Sequence, residues 1–325
     1  MDLTFFKSQF TTLPTPTFSF QNQTIIVTGA NTGLGLEAAR HFTNLGASKV
    51  ILACRSLAKG EAACHNIEAS TGRTGVCETW VLDMSNYDSI KAFTLRAEGL
   101  ERLDVLVENA GIAKMEYEEV EGMESGVVVN VIGTMLLAVG MLPVLRKSAG
   151  KTGGVPRLVI VGSEVHGFSP LDERHEDSIF EACKKNDPKY MASRYPTTKL
   201  LLIFAIRALA AQMSTGPHAS EPVIVNNPNP GLCHSELSRD SKGFGGFMFW
   251  LFRQLVARKT EVGSRTLVFA AAANEDSHGE YMCDCVVTPP SKFVRSEEGK
   301  KSQERVWTEL VGILEGIQPG ITKNI

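Results

Sequence analysis

Short hydrophobic runs, many of them rich in β-branched residues, alternate along the chain with longer amphipathic segments. The runs have the length and composition of buried strands, whereas apolar residues in the longer segments recur with helical spacing. Strands are predicted at residues 24–30, 49–54, 75–82, 103–109, 157–163, 222–230 and 279–283. Helices are predicted at residues 35–46, 56–70, 86–98, 122–147 and 197–213.

A repeated strand–helix order with right-handed connections places helices on both faces of one parallel sheet. We therefore predict an α/β fold, a single doubly wound Rossmann domain with a mostly parallel seven-stranded sheet. No linker interrupts the pattern, so residues 24–325 are predicted to form one domain. Residues 1–23 contain Pro14 and Pro16 and no continuous apolar core. This segment is predicted to be an extended surface arm rather than a signal peptide or membrane span.

Composition and charge are those of an ordinary globular protein. The 325 residues are 43% hydrophobic and 21% charged, and the formal net charge is −3. No block of like charge is present, which argues against a nucleic-acid partner. The seven cysteines are scattered and odd in number, which favours a reducing compartment and predicts a cytoplasmic protein. Cys283 and Cys285 lack a second pair of ligands, so no metal site is predicted.

The first predicted strand leads into the glycine-rich turn "TGANTGLG", residues 28–35. Such a turn lets the backbone approach a pyrophosphate at the N-terminus of the next helix, although an ordinary strand-to-helix loop would look similar. Arg55 and Lys59 follow the second strand, where an acidic residue would bind the adenosine ribose of NAD. An arginine there can bind a 2′-phosphate, so NADP(H) is the predicted cofactor. The alternative is two solvated basic residues at a helix start.

Tyr195 precedes Lys199 by four residues at the start of a predicted apolar helix. This spacing alone only shows that the two side chains share a helix face. Hydride transfer to a carbonyl, however, leaves an alkoxide that must receive a proton. A tyrosine can supply that proton if a nearby cation stabilises its phenolate. For the pair alone the shared helix face remains the favoured interpretation, and the acid–base function depends on the rest of the sequence.

Taken together, these motifs resemble the short-chain dehydrogenase/reductase family over roughly residues 24–273. Further matches are "LDM" around Asp83, "ENAG" at residues 108–111, "VVVNVIGT" around Asn130, "VGSEVHG" around Ser163, and the "PG" at residues 230–231. The catalytic residues implied by the resemblance are Asn130, Ser163, Tyr195 and Lys199. The implied cofactor-binding residues are Gly29, Asn31, Gly33, Leu34, Gly35, Arg55, Lys59, Asp83, Asn109, Ala110, Gly111, Tyr195, Lys199, Pro230, Gly231, Cys233 and Ser235.

The resemblance also implies a role for each catalytic side chain. Tyr195 would be the proton donor, Ser163 would hydrogen-bond the carbonyl oxygen, and Lys199 would hold the nicotinamide ribose. Asn130 would hold a water that links Lys199 to solvent. Glu108 departs from the family pattern, because an asparagine usually occupies its place. The segment between Ser163 and Tyr195 is also longer than in compact members, which is similar to the retinol-dehydrogenase-like branch and most similar to fungal secondary-metabolite reductases.

The apolar stretch "GFGGFMFWLFRQLVAR", residues 243–258, is too short and too interrupted by Arg253 to span a membrane. We interpret residues 232–258 as a lid over the substrate cleft, with docking on a membrane surface as the alternative. His166 and His234 would either line that cleft or be ordinary solvated loop residues.

The function predicted from the sequence is NADP(H)-dependent reduction of a ketone or aldehyde, which is a sizeable apolar or aromatic biosynthetic intermediate. The reverse reaction would oxidise the corresponding alcohol. The partner expected is this small-molecule substrate, with no nucleic acid and no membrane. The family resemblance implies a possible homodimer, although the sequence itself does not fix the oligomeric state. Two alternatives remain, a membrane-surface retinoid or lipid alcohol dehydrogenase and a non-catalytic NADP-binding regulator.

Overall fold

A computed structural model describes residues 3–234 and 253–325 of the chain. Its strands, in chain order, are β1 (Thr24–Thr28), β2 (Lys49–Cys54), β3 (Cys77–Val81), β4 (Val105–Glu108), β5 (Glu119–Val120), β6 (Met123–Glu124), β7 (Arg157–Ile160), β8 (Ile224–Asn229), β9 (Tyr281–Cys283) and β10 (Val286–Val287). Within the described ranges, eight strands form one sheet in the order β10-β9-β8-β7-β4-β1-β2-β3, and β5 pairs with β6 separately. This topology is the predicted doubly wound sheet.

The sheet has one strand more than the sequence predicts. Strands β1–β4 and β7–β9 pair in parallel, whereas β10 pairs antiparallel with β9 at one edge. The two residues between them, Asp284 and Cys285, both have positive φ, at 51° and 69°. Positive φ at both central residues defines the tight hairpin turn that usually contains Asn-Gly or Asp-Gly. Asp-Cys lacks that signal, so the prediction of seven strands was wrong.

Helices cover both faces of the sheet. They are α1 (Leu3–Gln9), α2 (Gly33–Asn44), α3 (Leu57–Thr71), α4 (Tyr87–Ala97), α5 (Ser125–Thr152), α6 (Ile179–Cys183), α7 (Pro188–Met191), α8 (Arg194–Thr215), α9 (Thr260–Ala272) and α10 (Glu297–Ile317). One core cluster contains residues of α4, α5, α8 and α10, and a second on the opposite face contains residues of α2, α3 and α9. Sequence patterns located α2, α3, α4, α5 and α8 and missed α1, α6, α7, α9 and α10.

Helices α5 and α8 are long and apolar enough to cross a membrane by length and composition. Their most apolar windows are 94% and 78% buried inside the fold, respectively. Packing on the sheet therefore accounts for their apolar character. Within α5, Val128–Gly133 form a π-helical turn, in which the Thr134 hydroxyl donates to the carbonyl of Val129. Such turns occur often at functional sites, and this one contains Asn130.

The N-terminal segment is part of the domain, not simply an extended arm. It contains helix α1, and the side chains of Phe5, Leu13 and Phe20 are buried. The Gln9 amide donates to the carbonyls of Leu232 and Val256 and accepts a hydrogen bond from the amide of Leu232. A seven-residue helix is marginal in isolation, so tertiary contacts of this kind stabilise it and its sequence carries little signal.

Candidate active site

The strand order changes direction between β1 and β4, and the loops that follow these two strands meet at this point. The Asn109 amide group donates to the carbonyls of Thr28 (3.0 Å) and Gly29 (3.3 Å). The Thr28 hydroxyl accepts from the backbone amides of Asn109 and Ala110, each at 3.0 Å. The glycine turn and the "NAG" segment are therefore held together at the carboxyl edge of the sheet, where such folds bind ligands.

The backbone at this edge is packed so closely that several positions require glycine. Gly29 and Gly33 have φ of 63° and 61°, in the left-handed region. A Cβ on Gly35 would lie 2.6 Å from both the Gly29 carbonyl oxygen and Nδ2 of Asn109, and one on Gly29 would lie 3.0 Å from Cα of Ala110. Helix α2 begins at Gly33 with free amide groups at its N-terminus. This cradle fits the pyrophosphate of a dinucleotide, with Asn31 and Leu34 in the same turn.

The second and third strands present the side chains predicted to bind adenosine. Arg55 and Lys59 are exposed at the start of α3, and neither side chain forms an ion pair or hydrogen bond with the described residues. Asp83 is half-buried after β3, and its Oδ1 accepts from the amide and hydroxyl of Ser85. The two cations are thus available to a phosphate group, and Asp83 is held in a fixed orientation.

Ser163, Tyr195 and Lys199 lie together after β7 and at the start of α8. Ser163 and Tyr195 are half-buried, and the Ser163 side chain is close enough to the Tyr195 hydroxyl to lower its pKa. The Lys199 ammonium group is buried and donates to the carbonyl of Val161 at 2.9 Å. Its Nζ lies 6.0 Å from the centroid of the Tyr195 ring. The structure therefore brings the predicted serine, tyrosine and lysine together, and Lys199 is anchored to the segment between β7 and Ser163.

Burial shifts the pKa values of both titratable members of this group. It raises the pKa of Tyr195 to about 12, and the hydrogen bond to Ser163 opposes this rise. Burial also lowers the pKa of Lys199 from its ordinary value of 10.5 to about 8. Burial therefore keeps Tyr195 protonated at neutral pH and able to donate, and it leaves Lys199 mostly charged with a pKa only about one unit above neutral pH.

The Asn130 side chain links three parts of the site. Its Oδ1 accepts from the amide of Ile112 at 2.9 Å, and its Nδ2 donates to the carbonyl of Ile112 at 2.8 Å. The same Nδ2 donates to the Thr198 hydroxyl at 3.1 Å. Gly111 lies against this amide, because a Cβ on it would be 3.1 Å from Oδ1. Asn130 therefore fixes the loop after β4 against the catalytic helix.

The loop after β8 closes the site from the other side. Gly231 has a φ of 75°, and Arg258 donates to the Pro230 carbonyl at 3.2 Å. A Cβ on Gly263 of α9 would lie 2.3 Å from Sγ of Cys233 and 2.9 Å from Cδ2 of Leu34. Gly263 thus lets the two predicted cofactor loops meet, and no sequence motif identified it. Ser235 and most of the predicted lid at 232–258 lie outside the described residues, whereas residues 253–256 are helical.

His166 is a buried structural residue, so both of its sequence interpretations were wrong. Its Nδ1 lies 2.7 Å from the Ser163 carbonyl oxygen, and its Nε2 accepts from the Ser291 amide at 3.0 Å. The ring also packs edge-on against Tyr281. Burial lowers the pKa of His166, which favours the neutral ring. A histidine whose two nitrogens are both occupied supports the strand end and does not line a cleft.

Glu108 is buried after Val107 at the end of β4, and neither carboxyl oxygen has a hydrogen-bond partner among the described residues. Burial raises the pKa of this carboxyl well above its ordinary value of 4.5. Between about pH 4.5 and that higher pKa the folded state binds more protons than the unfolded state, so stability falls as pH rises. Glu108, in the place of the usual asparagine, therefore lowers the free energy of unfolding at neutral pH.

Glu108→Gln removes the ionisable group and keeps the side-chain shape. We expect the free energy of unfolding to rise by roughly 1–3 kcal/mol at about pH 8 and to change little at about pH 5. Urea unfolding at both pH values measures this, with the exposed Glu61→Gln as the control. Equal effects at the two pH values would contradict a protonated, buried Glu108.

The fold and the glycine turn define a Rossmann-type α/β protein. The family model for short chain dehydrogenases matches residues 23–172. A short chain dehydrogenase/reductase of Cryptosporiopsis sp., dmxR8, is 45% identical over 98% of each chain. A short-chain dehydrogenase of Penicillium roqueforti, anuD, is 42% identical over 98% of this chain and 84% of its own. The chain therefore belongs to the short-chain dehydrogenase/reductase family of oxidoreductases.

Solved structures share the same fold. The NADPH-bound carbonyl reductase from chicken fatty liver covers 83% of this chain and 99% of its own with a TM-score of 0.60, at 19% identity. The RhlG/NADP complex of Pseudomonas aeruginosa covers 83% and 97% with a TM-score of 0.61, at 22% identity. At these identities the likeness concerns the fold alone.

Proposed function

We propose that this protein is an NADPH-dependent reductase of a ketone or aldehyde, with Tyr195 as the proton donor. The observation that carries the proposal is the grouping of Ser163, Tyr195 and Lys199 beside the glycine cradle at the carboxyl edge of the sheet. The relatives are named dehydrogenases or dehydrogenase/reductases, and one fold neighbour is an NADPH-bound carbonyl reductase. These names support the class of reaction but not a particular substrate.

The residues of the site act on the carbonyl in a definite order. NADPH, held at the glycine cradle, would supply the hydride that the carbonyl carbon accepts. The Ser163 hydroxyl donates a hydrogen bond to the carbonyl oxygen, which stabilises the negative charge that develops there. Tyr195 then gives its hydroxyl proton to that oxygen, and the Lys199 cation stabilises the phenolate left behind. A proton from solvent restores the tyrosine.

Arg55 and Lys59 support a preference for NADPH over NADH, because their exposed cations have no ion-pair partner among the described residues. A charge-assisted contact to the 2′-phosphate is worth roughly 1.5–3 kcal/mol, or about 10- to 100-fold in affinity. Arg55→Ala should therefore weaken NADPH binding by that factor and leave NADH binding unchanged. Fluorescence titration of both cofactors measures the ratio. Equal wild-type affinities for the two cofactors would refute the preference.

We propose a sizeable apolar or aromatic carbonyl compound of a fungal biosynthetic route as the substrate. The support is the sequence of the predicted lid, with its phenylalanines and one tryptophan, and the identity with fungal short-chain dehydrogenases. A panel that pairs aromatic ketones and aldehydes with small aliphatic ones, followed by the loss of NADPH absorbance, tests this proposal. Faster turnover of the small aliphatic compounds would contradict it.

A further inference from the structure

The residue before Tyr195 is an arginine whose side chain is fully buried. Arg194 is 1% exposed, and its Nη1 lies 2.9 Å from Oε1 of Glu173. Its Nε lies 3.8 Å from Oε2 of Glu124. Both carboxyl groups are also 1% exposed. The three residues form a closed ionic cluster, and no motif of the sequence pointed to it.

The cluster joins the two helices that carry the catalytic residues. Arg194 is the first residue of α8. Glu124 caps α5, since its carboxyl oxygens accept from the amides of Gly126 at 2.8 Å and Val127 at 3.1 Å. Helix α5 contains Asn130 in its π-helical turn. One arginine therefore connects the start of the tyrosine helix to the start of the asparagine helix.

Glu173 belongs to the long segment between Ser163 and Tyr195, residues 164–193, which we call the insertion. A second contact from the insertion reaches the same turn of α8, because the hydroxyls of Ser169 and Thr197 lie 2.9 Å apart. Leu171, between the two contacts, has a φ of 46° and is fully buried. A buried leucine in the left-handed region persists only where its surroundings fix the backbone.

Helix α10 holds the outer side of the insertion. The Glu309 carboxylate accepts from the Ser178 hydroxyl and from the amides of Ile179 and Phe180, at 2.8 to 3.1 Å. Arg305 donates to the carbonyls of residues 174, 176 and 177. The insertion is therefore held between the C-terminal helix and the catalytic helix.

Stability alone does not explain the cluster. Nε and Nη2 of Arg194 and Oε2 of Glu173 have no hydrogen-bond partner in the part of the chain that the structure describes. A buried ion pair with incomplete hydrogen bonding is often no more stable than well-packed apolar residues of similar size. A different benefit is needed to explain why three charges lie buried at this one turn.

We propose that Arg194 is a positioning residue that sets the Tyr195 hydroxyl against Ser163. It does so by tying the first turn of α8 to the insertion through Glu173 and to α5 through Glu124. The proposal rests on the proposed function, because it assigns the purpose of the cluster to the proton-donating tyrosine. Misplacement of a reacting group by about 1 Å can cost up to about 100-fold in rate.

The test is the double variant Arg194→Met/Glu173→Met, which removes both charges of the closer ion pair and leaves the Glu124 carboxylate with its hydrogen bonds from the amides of Gly126 and Val127. We expect a melting temperature close to that of the wild type, an unchanged NADPH dissociation constant, and a kcat lowered by roughly 10- to 100-fold with little change in KM. Arg194→Lys, which keeps the charge, should recover part of the kcat. The matched control is Arg207→Met, on the same helix but away from its first turn.

Hydrogen exchange in the first turn of α8 provides a readout that does not depend on turnover. Exchange there should be faster in the double variant than in the wild type, and unchanged in Arg207→Met. Wild-type kcat together with wild-type exchange in the double variant would overturn the positioning role. A wild-type enzyme that reduces no carbonyl would instead refute the proposed function, and the exchange result would still decide whether Arg194 fixes the turn.

Discussion

Tyr195→Phe is expected to lower the rate of carbonyl reduction by about 10²–10⁴-fold, the usual range for the loss of a general acid. The change removes one oxygen atom and keeps the ring, so packing at the start of α8 should be preserved. NADPH affinity and melting temperature should stay near the wild-type values. Steady-state kinetics with the best substrate of the carbonyl panel, together with cofactor titration, measure all three quantities.

The control for this change is Tyr190→Phe, a few residues upstream in α7. Tyr190 is buried, and its hydroxyl donates to Oε1 of Glu176 at 2.8 Å, away from Ser163. Its removal should affect stability slightly and leave the rate intact. A near wild-type rate for Tyr195→Phe would show that the proton comes from another group, and the Tyr195–Lys199 spacing would then reflect only a shared helix face.

Lys199→Met is expected to stabilise the cofactor-free protein while it abolishes reduction. The pKa of Lys199, lowered by burial from 10.5 to about 8, corresponds to roughly 3 kcal/mol against the charged form at pH 7. Loss of the hydrogen bond to the Val161 carbonyl offsets about 1 kcal/mol of this. We therefore expect the free energy of unfolding to rise by about 1–2 kcal/mol at pH 7, and NADPH binding to weaken.

The pH dependence of this gain has a definite sign. Between pH 8 and pH 10.5 the unfolded wild type binds the lysine proton and the folded wild type does not. The wild type therefore gains stability as pH rises through this window, whereas Lys199→Met does not. The difference between the two proteins should shrink from pH 8 to pH 10.5. Urea unfolding of both proteins across this pH range measures the difference in stability. If Lys199→Met were less stable than the wild type at pH 7, the destabilisation assigned to the buried ammonium group would be contradicted.

Buried charged or ionisable groups are concentrated around the catalytic helix. Lys199, Arg194 and Glu108 are all buried, and burial of each has an energetic cost. Burial shifts the pKa values of Lys199 and Glu108 away from the charged form. Such groups cluster at functional sites because the chemistry needs tuned titration and fixed geometry. Their positions agree with an active site whose buried charged groups lower the folding stability of the protein.

Hydrophobic periodicity was sufficient to predict the strands and helices that bury a broad apolar face. All seven parallel strands and the helices α2, α3, α4, α5 and α8 were predicted from their apolar spacing, because each packs an extended face on the sheet. Helix α10 was missed because its fully buried apolar residues form only a narrow stripe, at Val306, Leu310 and Leu314. The hairpin strand β10 was missed because Asp284 and Cys285 adopt positive φ without a glycine.

The candidate site was predicted where a local motif exists. Gly29, Asn109, Ser163, Tyr195 and Lys199 each belong to a short signature, and the structure places them along one edge of the sheet. Residues that support the site from distant parts of the chain carry no such signature. Gln9, Gly263, Arg258 and the Arg194–Glu173–Glu124 cluster become visible only when the tertiary contacts are known.

The central claim is that a hydride passes from NADPH to a carbonyl carbon while Tyr195 supplies the proton. The most direct measurement uses NADPH with deuterium at both C4 positions of the nicotinamide, and mass spectrometry of the alcohol formed from each carbonyl of the panel. We predict one deuterium on the carbinol carbon of the wild-type product, and labelled product at a rate about 10²–10⁴-fold lower from Tyr195→Phe. An alcohol without the label, or labelled alcohol formed equally fast by both proteins, would contradict the claim.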